Sequence, residues 1–410
     1  MIIRPYDKAR DKDAVMQVWH ECAWIDKTDE DAVRQADDWF ESCRAFVGES
    51  AAGRAECIVT IHDGAMSYDG VDLPMAGVSG VATGMAGRKQ GLAGAVTARA
   101  IAETAGDLPV AALGMFEQGF YNRLGFGTGP YERHFRFDPA NLNVRGKPRP
   151  PVRLTQDDFR EVHECRLRTP RRHGGQVIND ERWTQFRMLR ATKGFGLGYR
   201  GDDGRLTHCL WFTERKGWHG PLSVHWCAYE TLEGFMELMA LLKSLGDQIR
   251  TVAMREPPSI HLQDLMRYPG RETTVREEGE HSAGIRSFAH WQLRINDLER
   301  CLAATRLRCD PTRFNLRLSD PVERYLAEHE WKGAGGDYVV TLGEECACER
   351  GEKAGLPVLE AAVNAFSRMW LGVLPATTLA VTDKVSGPCE LLEALDYAFR
   401  LPAPRTAWSF

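Results

Sequence analysis

Apolar residues recur at helical spacing early in the chain, at Ala14, Val15, Val18, Trp19 and Cys22. They recur again at Ala32, Val33, Ala36, Trp39 and Phe40. Steps of three and four place each set on one face, which predicts two amphipathic helices. Thr28 precedes the second and is suited to cap it. The pattern then shortens. Arg44–Gly48, Glu56–His62 and Gly77–Thr83 read as strands, with turns at Asp63-Gly64 and Asp69-Gly70. A small-residue helix is expected from about Gly91 to Glu103, then a strand at Val110–Leu113. Alternation in His134, Phe135, Arg136 and Phe137 is expected to close this unit. Helices, antiparallel strands and a strand–helix–strand crossover together predict an α+β fold with a mixed sheet.

Residues 138–151 carry four prolines and read as a linker. After it the order of elements nearly repeats. Helices are expected near Thr155 and over Asn179–Arg190, a hairpin at Asp202-Asp203-Gly204, and a strand over Leu222–Tyr229. A helix bearing Leu232, Phe235, Leu238, Met239, Leu242 and Leu245 follows, then a strand at Ile249–Met254. From about Arg294 a third region begins. Phe314, Leu316 and Leu318 alternate, as do Tyr338, Val340 and Leu342. A helix is expected around Pro357–Trp370, a strand near Leu379 and a helix over Glu390–Phe399. This divides the chain into residues 1–145, 146–295 and 296–410.

Composition narrows the class. A chain of 410 residues with 43% hydrophobic positions has enough apolar surface for several cores. A net charge of −5 argues against nucleic acid as partner. No apolar run reaches the ~18–20 residues of a membrane span, and the opening Met1-Ile2-Ile3-Arg4-Pro5-Tyr6 reads as a strand rather than a leader. A cytoplasmic location without membrane insertion is therefore expected. Eleven cysteines lack framework spacing and fit reduced, mostly buried thiols. Twelve histidines show no ligand spacing, so no metal is expected.

The chemistry concentrates in residues 77–127. A strand is followed by Gly87-Arg88-Lys89-Gln90-Gly91-Leu92-Ala93 and then a helix. A helix N-terminus presents unpaired N–H groups and partial positive charge, and so attracts phosphate. Gly91 lets the backbone approach a ligand, and Arg88 and Lys89 add positive charge. Alone, this loop reads as a solvated turn. Its occurrence upstream of Phe120-Tyr121-Asn122-Arg123-Leu124-Gly125-Phe126-Gly127 makes it a candidate acyl-CoA site. In the second repeat the corresponding loop is Tyr229-Glu230-Thr231-Leu232-Glu233, whose glutamates would repel a pyrophosphate.

Arg88 to Ala93 resembles the Arg/Gln-x-x-Gly-x-Gly/Ala motif of the GNAT superfamily of N-acetyltransferases, and Phe120 to Gly127 resembles a segment of its Eis (enhanced intracellular survival) branch. Ser367-Arg368-Met369-Trp370-Leu371-Gly372 and the ending Trp408-Ser409-Phe410 resemble the sterol-carrier-protein-like domain that closes Eis proteins. The resemblance implies tandem GNAT domains, an acetyl-CoA site in the first, a degenerate second copy and the carrier-like third domain. It implies acetyl-CoA contacts from Val81, Ala82, Thr83, Arg88, Lys89, Gln90, Gly91, Leu92, Ala93, Gly94, Phe116 and Glu117. It assigns Tyr121 as general acid and the α-carboxylate of Phe410 as general base, and implies a homo-oligomer, with a hexamer the candidate. A tyrosine hydroxyl is protonated at neutral pH and is able to donate to a departing sulfur.

The chain departs from the family pattern in Gly84-Met85-Ala86, where a proline is usual, and in Phe116, where a hydroxyl is usual. The expected activity is acetyl transfer to a primary amine of a cationic small molecule, aminoglycoside-like or lysine-like. Two alternatives are a lipid or small-molecule carrier with a vestigial site and an acetyltransferase acting on protein lysines.

Overall fold

A computed structural model describes residues 1–190, 194–213, 217, 219–269, 283–406 and 408. The chain opens with β1 (Ile2–Pro5), α1 (Lys8–Glu21), α2 (Glu30–Glu41), β2 (Arg44–Glu49), β3 (Ala55–Tyr68), β4 (Val71–Thr83), α3 (Leu92–Thr104), β5 (Val110–Gly114), α4 (Gln118–Asn122) and β6 (Gly127–Thr128). It continues through β7 (Glu132–Phe137), β8 (Val152–Leu154), α5 (Phe159–Arg168), β9 (Gln176–Ile178), α6 (Glu181–Arg190), β10 (Phe195–Arg200), β11 (Leu206–Phe212), β12 (Leu222–Tyr229), α7 (Leu232–Ser244), β13 (Val252–Arg255) and β14 (Gly284–Phe288). The remainder holds β15 (Trp291–Ile295), α8 (Leu298–Ala303), β16 (Thr312–Ser319), β17 (Gly336–Leu342), β18 (Ala347–Arg350), β19 (Val358–Ala362), α9 (Val363–Trp370), α10 (Ala376–Thr382), β20 (Val385–Ser386) and α11 (Cys389–Ala398). Among the described residues no helix is long and apolar enough to cross a membrane.

These elements form two compact units. The first gathers Met1–Pro130, Arg172–Asn179 and Ala289–Phe410, and the second Tyr131–Arg171 and Asp180–Phe288. In the first, one sheet runs β1-β2-β3-β4-β5-β15-β6 with β9 paired to β3, and another runs β18-β17-β16-β19-β20. β4 and β5 are parallel, joined by α3 as crossover. The alanines of α3 serve close packing. Ala98, Ala100 and Ala102 are buried with Val96 and Ile101 against Cys57, Val59 and Ile61 of β3. A side chain at Gly48 of β2 would come within 2.6 Å of Val96, so glycine sets how closely helix and sheet approach.

The second unit repeats this plan in the sheet β14-β7-β13-β12-β11-β10-β8, again with one parallel pair, β12 and β13, flanking a helix. The architecture is thus α+β with mixed sheets, as expected.

Four local expectations differ from the structure. Asp29, accepting from the Ala32 N–H at 3.0 Å, caps α2 in place of Thr28. The alternating His134–Phe137 segment does not close the first sheet; it lies between β13 and β14. In the first sheet its place is taken by β15, which pairs with β5 and β6. Alternation reports a strand but not its partner. The expected helix around Pro357–Trp370 is a strand, β19, running into α9. Short apolar runs such as Val-Leu-Glu-Ala-Ala suit either state, and pairing parallel to β16 decides this one. The strand expected near Leu379 is the helix α10.

Candidate acyl-CoA site

The site begins where β4 and β5 part. Their parallel pairing ends at Val78 and Leu113, while β4 continues beside β3 as far as Thr83 opposite Cys57. Among the described residues the edge of Ser79–Thr83 that faces away from β3 has no strand partner, so backbone groups there are open to a ligand. A bulge lies within this stretch. Ile58 pairs with Ala82 and Thr60 with Ser79, so Gly80 and Val81 oppose Val59 alone. Gly80 adopts φ +59°, and the Thr60 hydroxyl donates to the Ser79 carbonyl at 2.9 Å. The bulge thus interrupts the regular β3–β4 register immediately before Ala82 and Thr83.

Beyond Thr83 the chain makes a short turn at Met85–Gly87 and enters α3 through Gly91. The turn is held from below. Glu21 of α1 accepts from the Met85 N–H at 2.6 Å, and the Glu56 carbonyl accepts from the Gly84 N–H at 2.8 Å. Gln17 and the Met85 N–H keep the Glu21 carboxyl below its usual range. Gln90 donates to the Ala86 carbonyl at 2.7 Å and closes the loop. Gly91 is the N-cap residue, at φ +79°, and no side chain caps the helix. The leading N–H groups of α3, from Leu92, Ala93 and Gly94, therefore stand without a side-chain acceptor. Arg88 and Lys89 are exposed, and neither is ion-paired among the described residues. Lys89 is itself at φ +60°, a conformation that costs a non-glycine residue energy. The loop thus combines free N–H groups, the positive end of a helix and two free cations.

Tyr121 lies on the other side of the gap, on α4. It is buried with Leu92 and Val96 of α3, its ring edge-on to those of Phe116, Phe120 and Phe126. Among the described residues its hydroxyl has no hydrogen-bond partner. Burial pushes its pKa well above the ordinary value, and the nearby Cys57 thiol adds in the same direction. The hydroxyl therefore stays protonated across the working pH range. Gln292 of β15 anchors α4, donating to the Gln118 carbonyl at 3.3 Å and to the Thr128 hydroxyl at 3.1 Å. The turn after α4 is braced by the buried pair Arg294–Asp320 at 2.6 Å. A side chain on Gly125, at φ +83°, would collide with that pair.

The structure thus brings Val81–Thr83, Arg88–Gly94 and Tyr121 to one gap. Phe116 sits at its edge, 76% exposed and stacked 6.1 Å from Phe120. Both carboxylate oxygens of Glu117 are used to cap α4, accepting from Gly119 and Phe120. Phe410 lies outside the described residues. The chain leading to it is docked within the first unit: Trp408 is buried and the Thr406 hydroxyl donates to Gln176 at 2.6 Å. Sequence reasoning passed over Glu21, Glu56 and the bulge. An isolated glycine inside a strand, such as Gly80, is the one signal that could have marked the bulge.

The second unit shows what the same geometry becomes without a vacancy for an anion. β12 also outruns its parallel partner, pairing with β13 only over Leu222–Val224. There, however, the Thr231 side chain caps α7 by accepting from Gly234 at 3.1 Å. Glu230 sits in the loop, bonded to Arg168 and Arg205.

Residues 3–129 match the family model described as an acetyltransferase (GNAT) domain. This segment is accordingly a GNAT acetyltransferase domain, and the enzyme class is acyltransferase. The chain matches no curated protein by sequence. Among solved structures, a probable N-acyltransferase of unknown function from Enterococcus faecalis aligns over 100% of this chain and 99% of its own, with TM-score 0.80 and 18% identity. A GCN5-related N-acetyltransferase from Kribbella flavida aligns over 100% and 98%, with TM-score 0.74 and 19% identity. Eis1 from Mycobacterium abscessus aligns over 100% of both chains, with TM-score 0.76 and 16% identity. At these identities the likeness is one of fold.

Proposed function

We propose that the chain transfers the acetyl group of acetyl-CoA to a primary amine of a cationic small molecule, aminoglycoside-like or lysine-like. The observation that carries this reading is the unpaired edge of β4 beside the uncapped N-terminus of α3. In this reading the loop from Arg88 to Gly94 takes the pyrophosphate, and backbone N–H groups of Val81–Thr83 take the acetyl carbonyl oxygen. The amine nitrogen attacks the thioester carbon, forming a C–N bond as negative charge gathers on that oxygen. The C–S bond then breaks and the electron pair leaves on sulfur, to which Tyr121 donates. The proton lost by the amine goes to a base, for which the resemblance offers the Phe410 carboxylate. Phe116 and Glu117 belong to the rim of the cofactor site, and residues 296–410 to a carrier-like domain, on the same resemblance. Transfer is direct. Burial pushes the Cys57 thiol up to about 12, so the cysteine beside the site is no nucleophile at neutral pH.

Calorimetric titration with acetyl-CoA tests the cofactor site. The double variant Arg88→Ala/Lys89→Ala is expected to bind about tenfold more weakly, the equivalent of one charge-assisted hydrogen bond of ~1.5 kcal/mol. Equal affinity would remove the loop from the reading. Extending the chain past Phe410 tests the base: collapse of turnover on extension supports the terminal carboxylate, and unchanged turnover discards it.

A further inference from the structure

The first unit contains a cavity of about 1010 Å³ that the acetyl-transfer reading does not use. It opens between the end of α4, the turn after β16, the approach to β17 and the end of α10. Four cations line it: Arg123, Arg324, Lys332 and Lys384, all exposed. Among the described residues none of the four has a carboxylate partner. The Arg324 guanidinium is oriented by neutral oxygens, donating to the Arg123 carbonyl at 3.3 Å and the Tyr325 hydroxyl at 2.8 Å. Of the three lining carboxylates, two are already engaged, Asp320 by Arg294 and Asp383 by Arg368, each at 2.6 Å. Only Glu323 is left to oppose four cations, so the cavity carries about three uncompensated positive charges in a chain whose net charge is −5. Like charges gathered without counter-charge raise the free energy of the empty protein, and an anion removes that cost. Gly333, Gly335 and Gly336 also line it.

From this geometry we infer a second anion site, one that binds a phosphate-bearing small molecule. Arg123 and Arg324 supply planar donors, and Lys332 and Lys384 supply point charges. The phosphate has two possible sources. One is the 3′-phosphate end of acetyl-CoA itself, because Arg123 follows Tyr121 by two residues and the Tyr325 ring packs on Gly94 of α3. The other is a separate phosphorylated metabolite.

Inorganic pyrophosphate is the probe, titrated calorimetrically into the full chain carrying Arg88→Ala/Lys89→Ala, so that the first loop contributes little. Lys332→Glu/Lys384→Glu is then added; both residues are exposed, and circular dichroism checks that the fold is kept. The inference expects binding in the first protein and at least a tenfold loss on charge reversal. No binding in the first protein, or equal binding in both, overturns it. Acetyl-CoA and 3′-dephospho-acetyl-CoA then identify the source on the otherwise native chain. If charge reversal weakens only the 3′-phosphorylated form, the cavity holds the cofactor's tail. If it weakens neither while pyrophosphate binding is lost, the ligand is a separate one. All readouts are of binding, so failure of the acetyl-transfer reading would leave the result intact.

Discussion

The Tyr121 ring packs among apolar rings, and its hydroxyl has no hydrogen-bond partner among the described residues. Tyr121→Phe keeps the ring and removes only that group. We expect unchanged acetyl-CoA affinity and a kcat lower by about a hundredfold or more, the scale of a lost proton donor, measured as CoA thiol release. A variant with full turnover would reduce Tyr121 to packing. His62, on the neighbouring strand β3, is fully buried against the Trp39 ring at 4.7 Å, and burial lowers its pKa to about 3. The unfolded imidazole takes up a proton below about 6.5, whereas the folded one does so only near 3. Stability from this residue is therefore complete above the unfolded value and is lost as pH falls, by about 1.4 kcal/mol per pH unit within that window. Comparing urea midpoints at pH 7 and pH 5, we expect His62→Leu to lose less than the native protein. An equal loss in both would place the acid sensitivity elsewhere.

At the scale of elements, the site depends on two devices. The first is the bulge in β4. A methyl group on Gly80 would meet Thr60 and Trp39 at 3.1 Å while the backbone holds φ +59°. Gly80→Ala is therefore expected to destabilise by about 1–2 kcal/mol and to raise KM for acetyl-CoA, since the bulge lies immediately before Ala82 and Thr83. The second is the Arg294–Asp320 pair that braces the turn behind Tyr121. Asp320 also accepts from Val322 and Ala334. Asp320→Ala strands a buried guanidinium and is expected to cost about 3–5 kcal/mol, read as a lowered denaturant midpoint. An effect below ~1 kcal/mol, the size of an exposed pair, would contradict that role. Much of this was legible in the chain. The small-residue helix, the glycine before it and the strand on either side announce themselves by period and by glycine placement. What was not legible depends on distant partners. β7 and β15 alternate as strands should, but only packing reveals that β15 completes the first sheet. Glu21 reads as an ordinary helix-end carboxylate until the fold brings the Met85 N–H to it.

The whole molecule contains two versions of one crossover, and they differ in what their helix ends offer. α3 begins at an uncapped glycine beside two free cations, whereas α7 begins at a capping threonine beside a glutamate. We therefore expect one acetyl-CoA bound through such a crossover per chain; a second one that survives Arg88→Ala/Lys89→Ala and is lost on substituting the α7 loop would contradict the distinction. The claim that unites the scales is that this first crossover, with Tyr121 facing it, turns over acetyl-CoA. It is tested most directly by measuring CoA thiol release from acetyl-CoA against a panel of primary amines, with the native chain and Tyr121→Phe run side by side. The account predicts amine-dependent release by the native chain that falls by about a hundredfold in the variant. Saturable acetyl-CoA binding with no release for any amine, or release indifferent to Tyr121, would contradict it.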